Sequence, residues 1–299
     1  MAGCALCPRA CGALREAGER GICAAGAEPV VSRVMLHEWE EPPLSGTVGS
    51  GAVFFPGCSL GCVYCQNHAI SRSGAGDPLS EADLAETFLG LQARGALNVN
   101  LVTPTHFAPA IRRAVRLARE AGLALPVIWN TSGYETVRAI QDNQGLVDVY
   151  LTDFKYADAA LADALSHAPD YPRVALRAIH EMLRCTRPLS FDGAAGEERL
   201  VSGVVVRHLV LPGQVEESCQ ALSVLRAEFG DAVRLSVMSQ YTPQIPEGSP
   251  VLDAFPELAR RVTPEEYEAV LDHADALDFT DYFWQEGDPA QESFIPDFS

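Results

Sequence analysis

The stretch FFPGCSLGCVYCQNH, residues 54–68, decides how the rest of the chain is read. It sets Cys58, Cys62 and Cys65 at the spacing C-x3-C-x2-C, just after an apolar run, Ala52–Phe55, that reads as a β-strand closed by Pro56-Gly57. Three thiolates in so short a loop can wrap one small inorganic cluster, and Gly57 and Gly61 supply the backbone freedom that the loop needs. Soft thiolates are the normal ligands of iron–sulfur clusters. A four-iron cluster held by three cysteines keeps one iron open, and an open metal position is where outside chemistry enters. The competing readings are a zinc knot or three unrelated thiols. The agreement of spacing, glycines and post-strand position speaks against both.

Outward from this loop the chain alternates short apolar runs with helical periodicity. Strands are predicted over 98–103, 126–131, 147–153, 204–211 and 234–240. Helices are predicted over 80–94, 107–121, 135–141, 157–166, 172–184, 216–229 and 264–276. Ser80 with Asp83 approaches a capping box, Gly122 closes the second helix, and Thr263-Pro264 opens the last. This makes six β/α units. Runs such as Val204-Val205-Val206 are apolar on both faces, as a buried parallel sheet requires. A doubly wound sheet or an open or closed barrel follows. Linkers are expected at 192–198, 246–256 and in the tail.

The chain has 299 residues, with 40 Asp and Glu against 22 Lys and Arg and a formal charge of −18. Its content of 47% apolar and 21% charged residues excludes wholesale disorder. The acidic balance argues against nucleic acid or an anionic membrane as partner. No apolar run is long enough to span a bilayer, and the N-terminus carries no secretory h-region. A reducing cytoplasm is therefore the expected location, where the nine cysteines serve as metal ligands or free thiols rather than disulfides. Cys185 and Cys219 stand alone and are expected to be buried small hydrophobes.

The cysteine loop resembles the radical S-adenosylmethionine (radical SAM) signature, with Tyr64 as its aromatic residue. NVNLVTPTHF at 98–107, PVIWNTSGYE at 126–135, VDVYLTDFKYAD at 147–158, VVVRHLVLPG at 204–213 and LSVMSQYTP at 235–243 extend the likeness. With HEWEEPPLSG at 37–46 and the N-terminal CALCPRACG, they resemble the iron–sulfur proteins related to pyruvate formate-lyase activating enzymes. The resemblance implies an α/β fold: a partial (β/α)6 barrel over residues 51–280, preceded by a small cysteine-rich metal-binding lobe and lead-in over 1–50 and followed by a C-terminal tail over 281–299. It implies an oxidoreductase in which S-adenosylmethionine chelates the open iron and is cleaved by one electron to methionine and a 5′-deoxyadenosyl radical, which abstracts hydrogen. The cofactor carries that chemistry, so no Ser/His/Asp or paired-carboxylate constellation is needed. The implied partners are a glycyl radical enzyme, whose backbone glycine would be the substrate, and an electron donor such as flavodoxin or ferredoxin. The alternatives are radical modification of another protein residue or of a small molecule, or a non-catalytic iron–sulfur electron carrier or redox sensor.

Carried over by motif, Cys58, Cys62 and Cys65 ligate the 4Fe-4S cluster, Tyr64 lies near the adenine, and Asn67 is a polar site residue. Thr103-Pro104-Thr105 stands where the family usually has a Gly-Gly-Glu-like segment, which points to Thr103 or Thr105 for the methionyl amino group. Asn130 and Ser132 correspond to contacts with the ribose and carboxylate, and Asp153, Lys155 and His208 occupy strand ends that face the ligand. All sit where parallel β/α folds build their sites. Plainer readings stand beside these: Asn130 and Ser132 as helix caps, Asp153 and Lys155 as a structural ion pair, and His208 as a hydrogen-bonded core histidine. His37 and His106 have at most a lining role.

The N-terminus adds Cys4, Cys7, Cys11 and Cys23. Four thiolates satisfy a closed zinc site or a fully ligated second iron–sulfur cluster. A segment too short to own a core would draw its folding energy from the metal. Spacing does not separate zinc from iron.

Overall fold

A computed structural model describes residues 3–287 except 195 and 197. Eight strands form the continuous path of a nine-stranded main sheet: β1 (Arg33–His37), β2 (Ser50–Phe54), β3 (Val99–Val102), β4 (Val127–Thr131), β5 (Val149–Asp153), β6 (Arg199–Leu209), β7 (Arg234–Met238) and β8 (Phe283–Trp284). Their spatial order is their chain order, and all neighbours are parallel except the antiparallel pair β1–β2. The crossovers carry α1 (Glu81–Ala93), α2 (Ala108–Glu120), α3 (Val137–Gln141), α4 (Ala159–Ser166), α5 (Tyr171–Cys185), α6 (Val215–Phe229) and α7 (Pro264–Ala276). Right-handed crossovers with no reversal of order put every helix on one side, and the sheet curls around its other side into an open barrel.

Alternation along the strands sorts the core. On β4, Val127 and Trp129 face the helices while Ile128 faces inward; on β5, Tyr150 faces out and Val149 and Leu151 face in. The outer layer joins Val53, Leu101, Trp129, Tyr150 and Val206 to Phe88, Ile111, Ile179, Leu225 and Val270 of the helices. The inner cluster is small: Ile128, Val149, Leu151, Leu200 and Val205, closed by Leu44. Leu44 arrives on the short helix Pro42–Ser45 of the β1–β2 connection, whose backbone is pinned by Asn98 Nδ2 donating to the Leu44 carbonyl at 2.8 Å. The connection plugs one end of the lumen and leaves the other, at the C-terminal strand ends, open.

The six predicted β/α units are all present. The capping box at Ser80 and Asp83 forms, as does one at Thr263 and Glu266. The sheet also takes in a strand from each flanking segment. β1 lies in the expected lead-in and β8 in the expected tail; the tail beyond 287 lies outside the described residues. β6 starts at Arg199, earlier than predicted, because Ser190–Asp192 pairs with it as a hairpin across the expected 192–198 linker. The 246–256 linker holds a short helix, Pro250–Ala254. Cys185 and Cys219 are half-buried on α5 and α6 rather than in the core. Among the described residues no helix is long and apolar enough to cross a membrane.

Phe88 is fully buried where α1 meets the sheet and α2. Phe88→Ala is expected to cost about 3–5 kcal/mol through the cavity left behind, read as a lowered midpoint in urea unfolding.

Candidate active site

The open end of the barrel holds a cavity of about 570 Å³ lined from all eight strands. His37, Phe54, Val102, Asn130, Asp153, Arg207, Ser236 and Phe283 each come from a different strand. Cys58, Cys62 and Cys65 face the same space, with Tyr64 and Asn67 of their own loop. Gly57 starts the loop at φ +88°, and a Cβ there would lie 2.2 Å from the Cys23 carbonyl oxygen, so the turn admits no side chain. His106, fully buried, places its Nε2 2.8 Å from the Pro56 carbonyl and so holds the residue just before the loop; burial pushes its pKa down to about 4, which keeps it neutral.

The three thiols lie close enough to feel one another's charge. Burial is the larger cause of the raised pKa values of Cys58 and Cys65, the latter to about 12, and the neighbouring cysteines add to it. Among the described residues, no three His, Cys, Asp or Glu side chains are close enough together to hold a single metal ion. Lys155 pairs with Asp153 at 2.6 Å beside Cys62. Burial works against the lysine's charge, but Asp153 and Cys62 outweigh it and hold the pKa above the usual lysine range.

Not every sequence-expected residue reaches the cavity. Tyr64, Asn67, Thr103, Asn130, Ser132, Asp153 and Lys155 line it. Thr103 does so at φ +57°, with its N–H donating to the Asn130 carbonyl at 2.9 Å. Asn130 and Ser132 cap nothing; Thr136 caps α3 by accepting from Ala139 N–H at 3.1 Å. The ion-pair reading of Asp153 and Lys155 and the lining reading both hold. Thr105 and His208 are corrections. Thr105 turns away and donates to the buried carboxylate of Glu135, which also accepts from Thr131 and Trp129. His208 points to the helix side of β6, with Nδ1 2.8 Å from the Phe154 carbonyl and Nε2 3.0 Å from Ser218 Oγ. Burial lowers its pKa to about 4, so it is a neutral core histidine.

Sequence reasoning passed over the neighbour of His208. Arg207 points into the lumen, donates from Nε to Glu41 Oε1 at 2.7 Å, and pairs with Glu40 as well. Asn100 Nδ2 donates to Glu40 at 2.7 Å. Burial alone would raise the Glu41 pKa, but the Arg207 guanidinium more than offsets this and holds it below the usual carboxylate range. The available signal was period-two alternation: if His208 faces out, Arg207 faces in. A second unread feature is the glutamine chain, Gln66 donating to the Gln240 carbonyl at 2.6 Å and Gln285 to the Gln240 side chain at 2.9 Å, which ties the cysteine loop to the end of β7.

A family profile described as the radical SAM superfamily matches residues 52–222. The chain belongs to that superfamily. Its members use a 4Fe-4S cluster and S-adenosylmethionine, so this protein is a radical SAM enzyme. It is 30% identical over 281 residues to the uncharacterised protein MJ0674 of Methanocaldococcus jannaschii, covering 91% of this chain and 74% of that protein. Among solved structures it is similar in fold to Streptococcus suis SuiB bound to the precursor peptide SuiA, with a TM-score of 0.51 and 12% identity over 77% of this chain and 46% of that one. SuiB bound to S-adenosylmethionine gives 0.49 and 14%, over 77% and 45%. The chain therefore spans about half the length of the solved structures it matches.

Arg207→Gln would leave two buried carboxylates without their cation and is expected to cost about 3–5 kcal/mol at neutral pH. In the wild type the depressed Glu41 pKa contributes stability above the unfolded carboxylate pKa, lost as pH falls through the folded value. In the variant the sign reverses, since burial then raises the folded carboxylate pKa. The deficit should shrink as pH falls toward 5, measured by urea unfolding across that range.

Proposed function

We propose that Cys58, Cys62 and Cys65 bind the 4Fe-4S cluster, that the cavity beside them takes S-adenosylmethionine, and that the enzyme abstracts hydrogen from a backbone glycine of a partner protein. The observation that carries this reading is that three thiols from one loop open onto a cavity ringed by strand-end polar groups. The cavity also suits the cofactor's charge. Glu38, Glu40, Glu41, Asp153 and Glu286 outnumber Lys155 and Arg207 among its lining side chains, which favours a ligand carrying a sulfonium and an ammonium.

When bound, the cluster and S-adenosylmethionine supply a one-electron cleavage that yields a 5′-deoxyadenosyl radical. The chain's own residues bind, orient and exclude water. Thr103, Asn130 and Ser132 offer hydrogen bonds to the amino acid and ribose groups from two neighbouring strand ends. Tyr64 forms a wall, fixed from behind by the Tyr156 hydroxyl donating to its oxygen at 2.8 Å. Lys155, kept charged by Asp153, offsets the negative charge of three thiolates. Phe54, Leu60, Val102, Leu209 and Met238 are the apolar walls that keep water from a reactive radical.

At the mouth, Trp39 and Trp284 are 48% and 51% exposed, large apolar surfaces placed where a protein substrate would arrive. This supports a glycyl radical enzyme as partner, with flavodoxin or ferredoxin as electron donor. A second reading, modification of another residue in a peptide, is favoured by the precursor peptide bound to SuiB, whose fold this chain shares. The location we propose is the cytoplasm, where reduced thiols persist.

The anaerobically reconstituted, dithionite-reduced protein is expected to convert S-adenosylmethionine to 5′-deoxyadenosine, with Cys62→Ala at background, by liquid chromatography. Full cleavage by that variant would refute the ligand assignment. Candidate glycyl radical enzymes incubated with the protein should develop a doublet in electron paramagnetic resonance; a radical on a peptide residue instead would favour the second reading.

A further inference from the structure

The mouth of the cavity carries negative charge that no described residue answers. β1 and β8 are the two edges of the curled sheet, and among the described residues they do not pair with each other, so the barrel wall is open between them. Each edge brings the same two kinds of side chain to the cavity. Glu38 and Trp39 follow β1 directly, while Trp284 ends β8 and Glu286 lies two residues on. Both indoles are about half exposed. Both carboxylates are exposed, and neither has a hydrogen bond or ion pair among the described residues.

These side chains stand on fixed backbone. Gln285, between Trp284 and Glu286, donates from its N–H to the Tyr267 hydroxyl at 2.9 Å and accepts from Ser239 N–H at 2.8 Å. On the other edge His37 is paired with Ser50, and Glu40 N–H donates to Ser45 Oγ at 2.8 Å while Arg207 holds its carboxylate. The mouth is therefore set before anything binds, and an occupant need not order it.

We propose that the segment a partner protein presents to this cavity carries lysine or arginine on both sides of the residue that reacts. Glu38 and Glu286 pair with the two cations, and Trp39 and Trp284 cover their stems. This selectivity rests on the proposed binding of S-adenosylmethionine and abstraction of hydrogen in the same cavity.

Charge deeper inside is already matched. Among the described lining residues the lysines and arginines are Lys155 and Arg207; Lys155 pairs with Asp153, and Arg207 with Glu40 and Glu41. Three thiolates give a four-iron cluster surplus negative charge, and the sulfonium of the cofactor brings surplus positive charge beside it, so those two offset. The remainder lies at the mouth, on Glu38 and Glu286, in a chain of formal charge −18. Such a surface attracts a basic partner and repels an acidic one. The indoles narrow the choice of cation. A lysine or arginine offers a charge to the face of a tryptophan and an aliphatic stem to its body. An inorganic cation would use the carboxylates and leave the indoles bare.

The placement on two edges selects a peptide over a small organic cation. The two Glu–Trp pairs come from opposite edges of the sheet and line one cavity. A compact cation engages one edge. A chain laid across the opening engages both, and the residue between its anchors is held over the cavity. Once one anchor is seated the other binds as an intramolecular event, so two weak contacts act as a stronger one.

The test uses the full chain, anaerobically reconstituted, with the cluster oxidised and S-adenosylmethionine bound so that no turnover occurs. Short blocked, fluorescently labelled peptides with a central glycine and a lysine on each side are titrated by anisotropy, beside counterparts carrying glutamine or glutamate. The lysine peptide is expected to bind about tenfold more tightly than the glutamine peptide, with glutamate weakest. The preference should shrink as salt is raised from about 0.1 M to about 1 M, where screening is strong. In Glu38→Gln/Glu286→Gln it should fall to about twofold, and in Glu38→Lys/Glu286→Lys it should invert. Equal binding of all three peptides by the wild type, a comparison that needs no variant, would overturn the inference. A preference that survives in both variants would overturn the assignment to Glu38 and Glu286. Spermidine displacing the lysine peptide at equal concentration would overturn the peptide in favour of a small cation. The same preparation reduced with dithionite reports 5′-deoxyadenosine. Cleavage without a peptide preference would sink this inference and leave the proposed function standing; a preference without cleavage would do the reverse.

Discussion

Strand order that runs in step with the chain, from β1 at one edge to β8 at the other, is the constraint beneath everything else in this molecule. Right-handed crossovers and an order without reversal send all helices to one side. A sheet covered on one side only must bury its other face against itself, and it does so by curling. The protein fills one end of the resulting lumen with Ile128, Leu151, Val205 and the inserted Leu44, and leaves the other end open. Because parallel strands all finish at the same end, Thr103, Asn130, Asp153, Arg207 and Trp284 share one cavity although they span most of the chain.

The lumen also holds buried charge. Arg207 with Glu40 and Glu41, and Lys155 with Asp153, sit at strand ends with little solvent. Burial penalises the charged forms of Arg207, Glu41 and Lys155, and the partner beside each more than offsets it. The pairs therefore do two jobs. Arg207 holds the β1–β2 connection inside the barrel, and Lys155 sets a fixed positive charge next to the cysteine loop. The dryness that makes an unpaired charge costly also suits a site that must keep a radical from water.

The loop carrying Cys58, Cys62 and Cys65 has two faces with different company. One face looks into the cavity with its polar strand ends. The other is gripped by Arg9, packed on by Cys23 and supported by His106.

Much of this was legible without coordinates. Cysteine spacing, helix caps and apolar runs are local signals, and they were enough to mark the six β/α units, the cysteine loop that faces the cavity and the N-terminal thiols. Seven of the nine non-cysteine site expectations, among them Thr103, Asn130 and Lys155, line the cavity. Thr105 and His208 do not, because a motif match names a position while the side chain's direction follows from strand pairing and packing around it. The same reason hid Arg207, one residue from His208 on the opposite face. β1 and β8 were missed because an edge strand of two to five residues carries almost no periodic signal, and the plug at Leu44 because a short turn reads as a linker until a lumen exists to receive it. Sequence alone determined which thiols could gather and which segments would be strand or helix, since both depend on near neighbours in the chain. Tertiary structure alone decided which side chains face the cavity and that the two cysteine sets touch, since those depend on contacts between residues that only folding brings together.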